Sequence, residues 1–323
     1  MNQDLYVILP YFNYVGWDNR AENTIRFIQE NIHLQSDGVK FVLMEGIYKN
    51  KHQLNHVPKD IYKHMQLHVE HPIWIKENLI NLAIQQLPED WQYVAWIDAD
   101  IFFTNTNWHH DARRLLNTHN MLQLFTSVVN VDKQSNLIEN PCFAQHGIAY
   151  SGSLQWDHPG HAWAMHRSLH DKIGMLFDKC IVGGADTLIA ALGLAHGDAN
   201  SKVFEYMQNL KVAEPFLKYL VEYVSKFKDA TVSHVNGTIL HYYHGDVRKR
   251  KYVERQQILA HVKYDPAVHI TYDAQGVLMI NADAAHAKML IKNIMHYFES
   301  RREDENMLQD ESLQDNALGM THV

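Results

Sequence analysis

Through its first hundred residues the chain alternates short apolar runs with amphipathic stretches, and no other feature of it constrains the fold as strongly. Residues 4–12 read as a buried strand, and 21–31 as a helix with Ile25, Phe27, Ile28 and Ile32 towards one face. Residues 39–44 predict a second strand, and 66–70 alternate as a third. Pro72 then opens a helix running to about residue 86, where its missing N–H would be unpaired in any case. Ile75, Leu79, Leu82 and Ile84 give that helix an apolar stripe, and Leu87-Pro88 ends it. Residues 93–97 are nearly all apolar, the mark of a strand buried on both faces. Such alternation predicts a mostly parallel sheet with covering helices.

Beyond it, strands are predicted at 121–125, 162–165 and 238–243, and helices at 167–178, 185–194, 214–228 and 248–262. Residues 127–160 read as loop, 268–280 as a hairpin turning at 273–276, and 284–301 as a closing helix. No internal repeat and no Pro/Gly/Ser linker divides the 323 residues. No apolar stretch approaches the ~20 residues that span a bilayer, and the run at 5–10 is too short for a signal peptide. Two cysteines, Cys142 and Cys180, are too few for a disulfide scaffold, so a cytoplasmic setting is expected. Of the net charge of −8, six negative charges follow Arg302, which leaves −2 for residues 1–302 and argues against broad binding of nucleic acid. The acidic segment 303–323 is expected to be a flexible tail.

The strongest local signal is Trp96-Ile97-Asp98-Ala99-Asp100-Ile101-Phe102-Phe103, an apolar run broken only by two carboxylates at i and i+2. On a strand that spacing sends Asp98 and Asp100 to one side. Two carboxylates so close repel unless a hard divalent cation lies between them. The second signal is His241-Tyr242-Tyr243-His244-Gly245-Asp246-Val247, followed by the cations Arg248, Lys249, Arg250 and Lys251. Imidazole completes the coordination of an ion such as Mn²⁺ that carboxylates have begun, and the cations suit phosphates. In a strand, residues 241 and 244 lie on opposite faces, so both reach one ion only if the strand breaks, which Gly245 permits.

A strand-end aspartate pair followed about 140 residues later by a strand-end histidine, a glycine and a basic run resembles the GT-A type (D-x-D) glycosyltransferases. More closely, the chain resembles uncharacterised GT-A-like proteins of bacteria and large viruses. The resembling segments are residues 7–13, 74–81, 96–103, 160–165, 183–187 and 241–251, in the expected order. The resemblance implies an α/β, Rossmann-like GT-A fold with a mixed, mostly parallel sheet flanked by helices. A catalytic domain would span 1–250, with a nucleotide-sugar half to about 105 and an acceptor half beyond it. A helix-hairpin-helix extension at 251–302 would pack on that core.

For the site, the resemblance implies that Pro10, Tyr11 and Asn13, with Arg20 nearby, seat the nucleotide base and ribose. Lys76 and Asn81 would face the nucleotide-sugar, Asp98 the ribose or the metal, and Asp100 the metal. His241 or His244 would complete a Mn²⁺ or Mg²⁺ site, and Arg248 and Lys249 would stabilise the leaving diphosphate. Asp186 matches an acidic position aimed at acceptor or donor, as general base or as an orienting group; read from its residues alone it is equally a helix N-cap. Relatives place Glu-Asp where this chain has Ala185-Asp186. The implied activity is hexosyl transfer from a UDP-sugar to a glycan, lipid-linked or protein acceptor. A nucleotidyltransferase is the enzymatic rival, but the segment 10–14 lacks its Gly-rich basic loop. A sugar-binding module with Tyr11, Trp17, Trp156 and Trp163 as stacking platforms is the non-enzymatic one.

Overall fold

The computed structural model describes residues 3–132, 134–138, 145–152, 157–194 and 213–305. Cys142, Trp156 and the acidic segment beyond Glu305 lie outside them. In chain order come β1 (Leu5–Phe12), α1 (Asp18–Asn31), β2 (Val39–Tyr48), β3 (Lys63–Val69), α2 (Lys76–Ile84) and β4 (Tyr93–Ile97). There follow β5 (Ile101–Phe103), α3 (Trp108–Leu116), β6 (Met121–Gln123), β7 (Ser127–Val131), β8 (Gln145–His146) and α4 (Ile148–Ser151). Next are β9 (Ala162–His166), α5 (Arg167–Ile173), α6 (Ala185–Leu194), a helix at Glu214–Val224, β10 (Val232–His234) and β11 (Thr238–Tyr242). A helix at Glu254–His261, a hairpin of β12 (Ile270–Tyr272) and β13 (Leu278–Ile280), and a helix at Ala287–Ser300 close the chain.

The main sheet runs β10-β6-β9-β4-β1-β2-β3. Only β9 is antiparallel to its neighbours, so the sheet is mixed and mostly parallel, with helices against it, as expected. In β1, Tyr6, Ile8 and Phe12 join Leu79 and Ile80 of α2 in one core, while Leu5, Val7, Leu9 and Tyr11 join Phe27 and Ile28 of α1 in the other. Each fully buried Leu, Ile or Phe contributes about 1.5–3 kcal/mol, and both faces of the strand collect it. Pro10 lies past the stretch of β1 that β4 pairs, where an interior strand gains a free edge and tolerates proline. Among the described residues no helix is long and apolar enough to cross a membrane.

Two elements depart from the sequence reading. The whole of α2 is buried, including Lys76, Glu77, Asn78 and Asn81, so an amphipathic stripe describes it poorly. Buried polar groups require partners. Asn81 donates to Leu176 O at 2.9 Å and accepts from Leu176 N–H at 2.8 Å. Asn81, expected to face a nucleotide-sugar, thus clamps the backbone of Leu176 with one donated and one accepted hydrogen bond. Asn78 likewise staples the hairpin, donating to Gly276 O and accepting from Leu278 N–H, both at 3.0 Å.

The second departure is a smaller sheet, β5-β11-β7-β8, whose β7 falls in a segment expected to be loop. β11 is parallel to β7, with His241 opposite Asn130, and antiparallel to β5, with His241 opposite Ile101. The expected tail boundary is also corrected. Arg302 adopts a left-handed φ of 46° and reverses the chain, and Glu303 is 1% exposed. Residues 303–305 belong to the packed body.

Candidate active site

β4 stops at Ile97, so Asp98, Ala99 and Asp100 form the turn into β5 rather than the end of a strand. The alternation of a strand therefore does not govern the two carboxylates, which interact with one another and take different partners. Asp98 Oδ1 lies 2.5 Å from Lys76 Nζ at the start of α2. Asp100 Oδ2 lies 2.8 Å from His244 Nε2 and 3.8 Å from His241 Nε2. The turn is held from both sides: Asp98 N–H donates to His161 O at 2.7 Å, and Tyr242 N–H to Asp100 O at 2.8 Å.

Because β9 runs antiparallel to β4 with Ala162 opposite Ile97, His161 arrives beside this turn. It does so at a φ of 69°, a left-handed conformation costing a non-glycine residue about 1–2 kcal/mol. His241 is fixed differently. Its Nδ1–H donates to Asn130 Oδ1 at 2.7 Å across the β7–β11 register, leaving the Nε2 lone pair towards Asp100.

Asp100, His161 and His241 each offer a ligand atom, and these atoms all lie within 4.8 Å of one another. Asp100 Oδ1 and His161 Nε2 are buried without a hydrogen-bond partner, each a cost of about 1–3 kcal/mol that a cation would relieve. One carboxylate oxygen with two imidazole nitrogens fits a first-row divalent ion such as Mn²⁺ better than Mg²⁺, which prefers oxygen throughout. Burial, with His158 and His241 adding to it, holds His161 well below the ordinary imidazole range. Burial does the same for His241 against the opposing pull of Asp100. Both rings are therefore neutral near pH 7, with lone pairs to give. Burial opposes the charge of Asp100, yet His244, through its charge and its 2.8 Å contact with Oδ2, leads the groups that outweigh it and hold that carboxyl well below its usual range.

The strand breaks before His244. β11 ends at Tyr242, and Gly245 at φ 91° completes a bend that swings His244 back. Its Nε2 lies 3.3 Å from His241 Nε2 and 2.8 Å from Arg250 Nη2. That nitrogen cannot donate to Asp100 and accept from Arg250 at once, so it serves one of them at a time. The basic run finds acidic partners within the protein. Arg248 is exposed and folds onto Asp246, Nη2 to Oδ2 at 2.6 Å, and Lys249 pairs with Glu305. The Asp246 side chain caps the turn Val247–Arg250, accepting from Arg248 N–H at 2.8 Å, and the turn brings Arg250 to the imidazoles.

The residues expected around the nucleotide base are engaged with the protein. Asn13 accepts from the N–H groups of Gly16 and Trp17, both at 3.0 Å, and donates to Trp17 O and the Tyr11 hydroxyl. Burial pushes Tyr11 up to about 12. Arg20 grips Glu303, Nε to Oε2 at 3.0 Å and Nη2 to Oε1 at 2.7 Å. Asp186 is the second residue of α6, so it is a first-turn residue and not the N-cap. Its Oδ1 accepts from Thr187 N–H at 2.8 Å, and its Oδ2 lies against Gly160, where a Cβ would come within 2.9 Å. Burial penalises the charge of Lys76, but Asp98, Asp186 and Glu77 outweigh that and raise it above its ordinary range.

No protein-family model matches this chain, and no curated protein matches it. Among solved structures it is similar to the catalytic domain of Drosophila β1,4-galactosyltransferase 7 in complex with xylobiose, at 11% identity and a TM-score of 0.38, covering 87% of this chain and 95% of that one. It is also similar to glucosyl-3-phosphoglycerate synthase from Mycobacterium tuberculosis, in complex with Mn²⁺, UDP-glucose and phosphoglyceric acid, at 12%, 0.38, 89% and 91% respectively. A third is 4-diphosphocytidyl-2C-methyl-D-erythritol synthase from Anaerococcus prevotii, at 11%, 0.35, 73% and 90%. At these identities and TM-scores the likeness says nothing of what this chain binds.

Sequence reasoning missed His161, Asn130, Arg250 and Glu303 as neighbours of the cluster. His161 stands in a motif noted for its order along the chain, but only the β4–β9 pairing puts it beside Asp98. A second metal-type group joins the exposed Asp37 and His110 to the buried His109. There both imidazoles meet one carboxylate oxygen, at 2.9 and 2.7 Å, and Arg113 Nη2 lies 3.1 Å from His110 Nδ1. With an arginine donating to its other nitrogen, His110 keeps its proton on Nε2, which disfavours a metal.

Proposed function

We propose that this chain is a divalent-metal-dependent glycosyltransferase that moves a sugar from a nucleotide-diphosphate donor, UDP-linked, to the hydroxyl of a glycan, lipid-linked or protein acceptor. The observation that carries the reading is the Asp100–His161–His241 group, with two buried polar atoms lacking any partner. It stands beyond the carboxyl end of β4, where open α/β sheets collect their ligands. The ordered motifs of the sequence add support. A divalent ion in that group would supply Lewis-acid stabilisation of the departing diphosphate.

In this reading the chain's own residues divide the work. Asp100, His161 and His241 hold the ion, and Asn130 orients His241. Lys76 keeps Asp98 charged and fixed at the donor, and His244 with Arg250 flanks the phosphates. Asp186 takes the proton from the acceptor hydroxyl if attack comes from the opposite face, and orients the sugar if configuration is retained. Residues 1–250 form the catalytic body and 251–302 its extension.

A thermal-shift panel of nucleoside diphosphates with and without Mn²⁺ tests the reading, since a bound ligand stabilises by mass action. UDP with Mn²⁺ is expected to raise Tm by more than the two separate effects, and Asp100→Asn to abolish that excess. Slow hydrolysis of the UDP-sugar without acceptor distinguishes an enzyme from a binding module. A panel in which no diphosphate responds to Mn²⁺ rejects the proposal.

A further inference from the structure

Three consecutive carboxylates, Glu303, Asp304 and Glu305, tie residues after the closing helix to His244, to the start of α1 and to Lys249. Glu303 takes Arg20 on one side and Arg301 Nε, at 2.6 Å, on the other, and its Oε2 lies 3.6 Å from His244 Nδ1. Asp304 accepts from the backbone N–H groups of Asp18 and Asn19, both at 2.8 Å. Glu305 takes Lys249, and Arg302 Nη1 at 2.9 Å. The passage needs Gly245, where a Cβ would lie 2.9 Å from Glu303 Cα and 3.2 Å from Arg302 O.

Helix α1 has no cap of its own. Trp17 occupies its N-cap position without a side-chain hydrogen bond, so Asp304 supplies one from the opposite end of the sequence. The groups these acids occupy are those a phosphate would choose: a guanidinium, the first N–H groups of a 14-residue helix, and an ammonium. Glu303 also reaches His244, which touches Asp100, so this carboxylate borders the proposed metal site.

We propose that Glu303, Asp304 and Glu305 form an autoinhibitory strap, an internal anion that holds these donors until a nucleoside diphosphate with its metal ion displaces it. The inference rests on the nucleotide-sugar reading above. On displacement the diphosphate oxygens replace the carboxylates on Arg20 and on the helix, while Arg301 loses Glu303 and keeps the Tyr297 hydroxyl, to which its Nη1 donates at 3.0 Å. A permanent brace would make the same contacts, but nucleotide would not disturb them.

Hydrogen exchange of the full chain, with and without UDP and Mn²⁺, separates strap from brace. The strap predicts that UDP–Mn²⁺ speeds exchange in residues 298–305 several-fold while β4 and β11 slow. Losing a helix cap shifts an equilibrium about fivefold, so Asp304→Ala tightens UDP–Mn²⁺ binding by about that factor. Asp304→Asn, which drops the charge and keeps one acceptor, tightens it less. Equal UDP–Mn²⁺ affinity in wild type and Asp304→Ala overturns the strap, as does exchange that slows in 298–305 together with the rest of the site. If neither wild type nor Asp304→Ala binds any nucleoside diphosphate with Mn²⁺, the nucleotide-sugar reading falls and takes the strap with it. Binding by Asp304→Ala where wild type binds weakly supports both.

Discussion

His241 and His244 stand three residues apart, and their Nε2 atoms lie 3.3 Å apart, yet they are held by different means. The ring of His241 is oriented through Nδ1 by Asn130, which leaves one lone pair facing Asp100 and His161. His244 shares its Nε2 between Asp100 and Arg250 and approaches Glu303 with its other nitrogen. His241→Ala is therefore expected to remove most of the Mn²⁺ dependence of nucleotide binding, and His244→Ala much less. Asn130→Ala, which touches no ion, should weaken Mn²⁺ by about 10–100-fold, the usual effect of losing a residue that orients a metal-binding histidine. Titrating Mn²⁺ into each variant with UDP present checks the order. A normal response in His241→Ala with a lost one in His244→Ala reverses the assignment.

At the scale of the element, α2 carries a charge problem that its burial creates. Glu77 is buried beside Lys76 and Asp186; burial pushes its carboxyl up to about 8, Lys76 opposing and Asp186 adding to the rise. Between the ordinary carboxylate range and about pH 8 the native state thus keeps a proton that the unfolded chain has released. Stability then falls as pH rises through that window, by up to about 1.4 kcal/mol per pH unit. Glu77→Gln cannot titrate, so its stability relative to wild type should climb from pH 5 to pH 8. Parallel denaturation curves for the two proteins across that range refute the shift. The sequence showed where this helix lies, because the strands and helices of the first hundred residues are written in local periodicity. It did not show that the helix is buried on every side, since its polar residues find partners at Leu176, Gly276 and Asp98, far along the chain. β5, β7 and β10 were missed for a related reason: strands of three to five residues carry little pattern, and each exists through a distant partner. The D-x-D segment and the His241 segment were legible as chemistry, whereas the contribution of His161 depends on β9 turning antiparallel.

For the molecule as a whole, the closing helix and the residues after it join the last part of the chain to the first. Phe298 packs against Phe12, Tyr14 and Trp74, and Glu303 pairs with Arg20 and Arg301 in a buried group. Burial opposes the charge of Glu303, but Arg20 and then Arg301 outweigh it and hold its carboxyl well below the usual range. The acidic composition of the last residues concealed this, because the sequence does not distinguish a carboxylate destined for a buried arginine from one in a solvated run. A chain ended at Glu305 keeps all of these contacts, and one ended at Arg302 loses the carboxylates while leaving both arginines behind. Breaking a buried pair by removing one partner costs about 3–5 kcal/mol, which in a protein of this size lowers Tm by roughly 5–10 °C. The chain ended at Arg302 is accordingly expected to melt that far below the chain ended at Glu305. Saturating UDP–Mn²⁺ should narrow the gap, since phosphate oxygens can take over Arg20, and calorimetry of both chains with and without nucleotide measures it. Equal melting temperatures without nucleotide would show that Glu303 contributes nothing to the body, and a gap unchanged by nucleotide would show that the diphosphate does not reach Arg20.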